Sequence, residues 1–168
     1  MKFDTSIVQT RFASPLGVVI IAATAKGLAG VWFEGQRHLP PQVDGPGAWP
    51  HASGHPLLLL AEQQLQDYFA GRRTVFELPL DLQGGTPFQQ LVWQALLRIP
   101  SGATASYGEL STRIGKPAAV RAVGAAVGRN PLSVIVPCHR VLGADGSLTG
   151  YAGGLERKSA LLQLEGAR

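Results

Sequence analysis

Residues 106–128 read SYGELSTRIGKPAAVRAVGAAVG, and the organisation of the chain follows from how this stretch folds. Ser106 is placed to cap a helix, with Glu109 three residues on to complete a capping box. Tyr107, Leu110 and Ile114 are the apolar members of that helix. Gly115-Lys116-Pro117 breaks it, and a further helix is expected from Ala118 to about Gly128. A short helix, a glycine-containing turn and a second helix outline a helix-turn-helix. That outline is common in helical proteins, so the composition of the second helix carries more weight. Val120, Val123 and Val127 form an inward stripe by their i, i+3, i+7 spacing. Every other side chain is small except Arg121. A face this bare admits another surface close to the backbone, either a neighbouring helix or a groove of DNA. A lone arginine there can insert into a duplex or pair with a phosphate. A helix that reads base edges carries several long polar residues. This one does not, so weak sequence specificity is expected.

Upstream, Thr86-Pro87 opens a helix carrying Phe88, Leu91, Val92, Leu96 and Leu97, which Ile99-Pro100-Ser101-Gly102 ends. Gly84-Gly85 marks a domain boundary, giving an N-terminal α+β domain over 1–85 and a C-terminal domain over 86–168. In the first, Ser6–Phe12, Leu16–Ala23 and Leu28–Phe33 read as strands, rich in Val, Ile and aromatics. Residues 36–56 hold five prolines and three glycines and read as a mobile loop. Its His38, His51 and His55 are either solvated loop residues or metal ligands. Pro56 can start a helix with Leu58, Ala61, Leu65 and Tyr68 on one face, stopped at Gly71. Phe76–Leu82 alternates like a strand.

The chain has 168 residues, 15 Lys+Arg against 11 Asp+Glu, 45% hydrophobic residues and one cysteine. This length buries a sizeable core without a staple. A lone cysteine excludes an internal disulfide and a cysteine-built zinc site. Low charge with abundant apolar residues argues against disorder. Residues 1–85 carry six basic and seven acidic groups, and residues 86–168 carry nine and four. A polyanion would therefore meet the C-terminal half, unless that charge is only a solvated basic surface. The start, Met1-Lys2-Phe3-Asp4, lacks the apolar core of a signal peptide. Val18–Ala25 is far short of the roughly 20 residues of a membrane span. A soluble, cytoplasmic protein with no membrane partner is expected.

The single thiol lies just beyond the second helix. Ser133-Val134-Ile135-Val136 reads as a buried strand that Pro137 ends, and Cys138-His139-Arg140-Val141 follows. A free thiol ionises near pH 8.5 and is a weak nucleophile at neutral pH unless a base or positive charge assists it. Three readings are open on these residues alone: a buried structural cysteine, an activated acceptor, or the Cys-His pair of a hydrolase.

Val136-Pro137-Cys138-His139-Arg140-Val141 resembles the active-site motif of the O6-alkylguanine-DNA alkyltransferases. Ser106-Tyr107-Gly108-Glu109-Leu110, Arg121-Ala122-Val123-Gly124, Asn130-Pro131 and Tyr151-Ala152-Gly153-Gly154-Leu155 resemble further family segments, in order and at fitting spacing. So does the tail from Leu162 to Gly166. The motifs cover about residues 86–166, while the N-terminal part agrees in length and layout. The resemblance implies an α+β protein. A small antiparallel sheet with a helix, ribonuclease-H-like, would pack on a mostly helical domain with a winged helix-turn-helix-like DNA-binding motif.

It also implies roles. Cys138 would accept the alkyl group from O6 of guanine, or O4 of thymine, irreversibly and once per molecule. His139 would take the thiol proton through a water, and Glu165 would orient His139. Tyr107 would turn the 3′ phosphate and donate to the leaving base. Arg121 would replace the flipped base, with Ala119, Ala122 and Gly124 beside it against the DNA. Asn130 would brace the turn between the second helix and the cysteine. Tyr151, Ala152, Gly153, Val141 and Val127 would line the base pocket, and Arg140 would anchor the two domains. The implied partner is double-stranded DNA containing O6-alkylguanine, bound by a monomer or cooperatively, with no metal and no cofactor. Gly150, Ala152 and Val127 depart from residues common in the family. Gly150 removes a side chain that braces the pocket loop. The rival reading is a lesion-binding module of the alkyltransferase-like type. Those proteins lack the acceptor cysteine, so Cys138 favours transfer.

Overall fold

Strands β1 (Val8–Ser14), β2 (Gly17–Thr24) and β3 (Gly27–Phe33) form an antiparallel sheet in that order. The hairpins are tight because Gly17 and Gly27 close them at φ 113° and 153°, backbone that side chains resist. The computed structural model describes all of residues 1–168, and the chain forms two compact units, Met1–Gly84 and Gly85–Arg168.

In the first unit β3 is buried from end to end and β2 almost so, which accounts for their continuous apolar runs. Helix α1 (Pro56–Phe69) packs on the sheet through Leu58, Ala61, Leu65 and Tyr68. A second cluster joins Ile20 and Ala22 to Ile7, Ala29, Trp32, Val43 and Trp49. Phe3 sets its ring edge-on to both tryptophans. Val43 and Trp49 come from the 36–56 segment, so the expected mobile loop is instead a packed cover. Buried Gln9 ties it down, its Nε2 donating to the carbonyls of Val43 (3.1 Å) and Trp49 (2.9 Å). Arg11 adds ion pairs to Glu34 and Asp44. The prolines that read as irregularity also reduce the entropy lost on ordering it.

The predicted strand Phe76–Leu82 is absent. Only Leu80 bridges to Leu28, and the neighbouring bonds use the Pro79 carbonyl and the Asp81 amide. Proline offers no donor, so the ladder stops there. His55 caps α1, its Nδ1 accepting from the Leu57 amide, while His51 bridges to Gln9. The three histidines do not gather into a group that could hold a metal.

In the second unit α2 (Pro87–Leu96) begins with a complete Thr86–Gln89 capping box. Helix α3 (Tyr107–Arg113) is capped by Ser106, whose hydroxyl accepts from the Glu109 amide at 3.0 Å. The reciprocal half of that expected box does not form, and the Glu109 carboxylate lies 3.6 Å from Arg113 instead. Helix α4 (Val120–Gly128) buries Val123, Ala126 and Val127. Val120 is 39% exposed, which corrects the expected stripe. The cause is Trp93, whose indole N–H donates to the Ala126 carbonyl at 2.8 Å. Val123, Ala126 and Val127 therefore form the buried face of α4, and Val120 is left outside it. Leu91 and Leu97 are exposed for the same reason, since Val92, Trp93 and Leu96 supply the inward face. Gly85 is needed beneath that indole, because a Cβ there would sit 2.3 Å from its ring.

Two short strands, β4 (Ala105–Ser106) and β5 (Val141–Leu142), pair in parallel, and α5 (Leu155–Leu164) closes the chain. The predicted strand Ser133–Val136 is a turn, and the cysteine starts a 3-10 helix, Cys138–Arg140. No helix is long and apolar enough to cross a membrane.

Trp93→Phe removes the bond to Ala126 and leaves a space beside α4. It is expected to cost about 1–3 kcal/mol. A lowered thermal midpoint of the second unit, followed by near-ultraviolet circular dichroism, would register it, and an unchanged midpoint would refute the packing role.

Candidate active site and nucleic-acid interface

The thiol is positioned by a turn that few sequences tolerate. Val134 lies at φ 72°, a backbone region hostile to a β-branched residue. Asn130 holds it there. Its Nδ2 donates to the carbonyls of Val136 (2.7 Å) and Leu132 (3.4 Å), and its Oδ1 accepts from the Leu132 amide at 2.9 Å. The Val136 carbonyl also accepts from the Cys138 amide at 2.8 Å. Asn130 follows α4 by two residues, so one buried amide connects the end of that helix to the backbone of the cysteine.

Cys138, His139 and Arg140 are all buried on one turn of 3-10 helix. His139 Nε2 lies 2.9 Å from Glu165 Oε2, and both side chains are sealed from solvent. Its Nδ1 has no protein hydrogen-bond partner. Glu165 sits just past α5, and Arg140 grips it with two bonds of 2.8 Å, Nε to Oε1 and Nη2 to Oε2. The third arm of the guanidinium donates to the Ile99 carbonyl. Arg140 is thus committed inside the second unit, and the expected inter-domain role gains no support from these bonds.

Burial pushes the Cys138 thiol above its usual range. A hydrogen bond from Asn130 and the charge of Lys158 pull the other way. Burial lowers His139, opposed by its bond and charge pairing with Glu165. At rest this is a protonated thiol beside a neutral imidazole, with Glu165 the group that favours the imidazole's cation.

Lys158 was not picked out from the sequence, where it reads as one more basic residue of an amphipathic helix. Its side chain is fully buried in α5, and its Nζ donates to the carbonyls of Thr149 (2.7 Å) and Gly150 (3.2 Å). Burial lowers its pKa to about 8, partly offset by the attraction of Cys138. The pocket loop before Tyr151 is therefore held by its carbonyls, which compensates for the side chain missing at Gly150. The only signal in the sequence was a helical lysine one turn after a glycine-rich loop.

Other predicted residues fall around this centre. Tyr151, Gly153, Val141 and Val127 are buried and Ala152 partly so. Arg157 Nη1 donates to the Gly153 carbonyl at 3.0 Å. On α4, Arg121 and Ala122 are exposed and Ala119 and Gly124 half-buried. The Tyr107 ring lies within van der Waals reach of a side chain placed at Gly124, so Tyr107 flanks the same helix.

A thiol backed by an imidazole and a buried carboxylate, coupled to a helix whose outer face is bare except for arginine, defines a class. It is a buried thiol centre coupled to a helix bare enough to admit another surface. The comparisons give that class its family. The profile described as "6-O-methylguanine DNA methyltransferase, DNA binding domain" matches residues 87–167. The one described as "6-O-methylguanine DNA methyltransferase, ribonuclease-like domain" matches residues 7–82. The chain belongs to the O6-methylguanine-DNA methyltransferase family. It is 49% identical over 158 residues to the methylated-DNA–protein-cysteine methyltransferase of Mycobacterium bovis, covering 92% of this chain and 90% of that one. The Methanosarcina acetivorans protein of the same name is 45% identical, covering 93% and 96%. The crystal structure of a Mycobacterium tuberculosis relative in complex with DNA superposes with a TM-score of 0.85 at 46% identity, covering 95% and 93%.

Replacing Lys158 by Met removes the cation that favours the thiolate and both loop bonds. The pH at which Cys138 reacts half-maximally with iodoacetamide should rise, by about one unit. An unmoved profile in a folded variant would show that Lys158 only supports the loop.

Proposed function

We infer that this protein repairs alkylated DNA by moving the alkyl group from O6 of guanine, or O4 of thymine, to Sγ of Cys138. The observation that carries the reading is the array Cys138, His139 and Glu165, joined by Asn130 to the end of α4. His139 Nδ1 takes the thiol proton through a water, and Glu165 stabilises the imidazolium through Nε2. The thiolate displaces the base at the alkyl carbon: a C–S bond forms, the C–O bond breaks, and Tyr107 donates to the departing guanine. A thiolate on a saturated carbon is not displaced by water, so Cys138 is consumed and each molecule turns over once.

The target oxygen lies inside the duplex, so the nucleotide must leave the stack, at a cost of a few kcal/mol. Arg121, exposed on a helix with no other long side chain, fills the gap and offsets part of that cost. Ala119, Ala122 and Gly124 let the helix approach the groove. Tyr151, Ala152, Gly153, Val141 and Val127 enclose the extruded base. Contacts are mainly to phosphates, drawn by the basic C-terminal half, so affinity falls with salt.

Intact mass after mixing with a duplex containing O6-methylguanine tests the reading. The protein should gain one methyl group and Cys138→Ser none. A bound duplex with Cys138 unmodified would leave only a lesion-binding protein. In a second test, Arg121→Ala should slow repair of duplex DNA at least about tenfold while sparing reaction with the free base. Equal losses on both would remove Arg121 from base extrusion.

A further inference from the structure

Arg140 makes more bonds to Glu165 than a domain anchor or a simple tether requires. Glu165 accepts from Arg140 Nε at Oε1 and from Arg140 Nη2 at Oε2, and Oε2 also faces His139 Nε2. The carboxylate side chain is 1% exposed and Arg140 8% exposed, so solvent does not substitute for any of these partners. We propose that Arg140 is a positioning residue of the transfer reaction: by engaging both oxygens of Glu165 it keeps that carboxylate proton-free and so sets the His139 tautomer, hydrogen on Nε2 and lone pair on Nδ1. This rests on the reading of His139 as the acceptor of the thiol proton.

The chemistry follows from what each atom can do. An ionised carboxylate only accepts hydrogen bonds, so His139 Nε2 must be the donor, and Nδ1 is left as the lone pair. A carboxylate buried without a cation moves toward its neutral acid. The acid hydrogen on Oε2 would face His139 Nε2, which that oxygen already meets. The imidazole hydrogen would then reside on Nδ1, and the base for the thiol would be lost. A guanidinium does not give up its proton at any working pH, so Arg140 holds the first arrangement across the whole range. Its fork matches the two oxygens, and its bond to the Ile99 carbonyl fixes the fork in turn.

The surrounding charges make the tautomer matter. The charged and titratable groups that bear on His139 are Glu165, Arg140 and Lys158, with the Cys138 thiol adjacent in the chain. Burial, Arg140 and Lys158 all disfavour a standing imidazolium, so His139 rests neutral. A neutral imidazole has a free lone pair on one nitrogen only, and Arg140 decides which.

The test uses the full-length protein, with methyl transfer from an O6-methylguanine duplex followed by quench-flow from about pH 5.5 to about pH 9. In Arg140→Gln the acid limb should move up by about one pH unit or more, lowering the rate at about pH 6 roughly tenfold and recovering at high pH. Arg140→Lys keeps the charge but loses the fork, so its limb should move part of the way. Imidazole nitrogen NMR, with the His139 signals assigned by their loss in His139→Gln, should show hydrogen on Nε2 in the wild type and on Nδ1 in Arg140→Gln. A rate reduced equally at every pH, or a wild-type Nδ1–H tautomer, overturns the proposal. If Arg140→Gln does not fold, an unshifted limb in Arg140→Lys overturns it as well. If His139→Gln itself transfers with the wild-type pH profile, the base role of His139 is what fails.

Discussion

The buried carboxylate of Glu165 is the constraint around which the second unit is arranged. An ion sealed from water loses several kcal/mol of hydration, and only close, well-oriented partners return it. Arg140 and His139 supply those partners, and both belong to the turn that carries the cysteine. The end of α5 is thereby joined to the active-site turn, and the Ile99 carbonyl beyond α2 is drawn into the same group. Charge compensation thus does the positioning that a flexible thiol-bearing loop would otherwise lack. The carboxylate in turn favours the His139 cation, which burial, Arg140 and Lys158 oppose.

A second buried polar group links this centre to the end of α4. The Asn130 amide makes three hydrogen bonds across a turn in which Val134 is strained. Strain of this kind persists only where surrounding bonds over-determine it. The Val136 carbonyl, shared by Asn130 and the Cys138 amide, places the thiol at a set distance from the end of α4. Geometry at the helix and geometry at the thiol are therefore not independent. Lys158 completes the arrangement from α5, holding the pocket loop by its carbonyls and adding positive charge toward the sulfur.

The first unit has no comparable polar centre. Its sheet is covered by α1 and by a proline-rich segment clamped through Gln9 and the Trp32–Trp49–Phe3 cluster. Its near-neutral charge contrasts with the basic second unit. This fits a division in which one unit is built for stability and the other for binding a polyanion and doing chemistry.

Local signals in the chain were sufficient for several features. Thr86-Pro87 and Ser106 start helices because their side chains satisfy amides that any helix leaves open. Gly17, Gly27 and Gly71 end elements because they tolerate backbone angles that other residues resist. The cysteine motif, with Tyr107, Arg121 and Asn130 at family spacing, located the reacting group. Tertiary structure alone decided what depends on distant partners. Val120 faces out because the Trp93 indole, 33 residues from its acceptor, claims Ala126. Ser133–Val136 looked like a strand by composition and is a turn that Asn130 clasps through the carbonyls of Leu132 and Val136. Pro79 reduced an alternating run to a single bridge. Arg140 read as a domain anchor and Lys158 as an ordinary basic residue until burial removed water as their partner and left one carboxylate and three carbonyls in its place. Propensity acts over a few residues, and the sequence carries it openly. Burial and charge compensation act between residues far apart in the chain, and only the folded arrangement settles them.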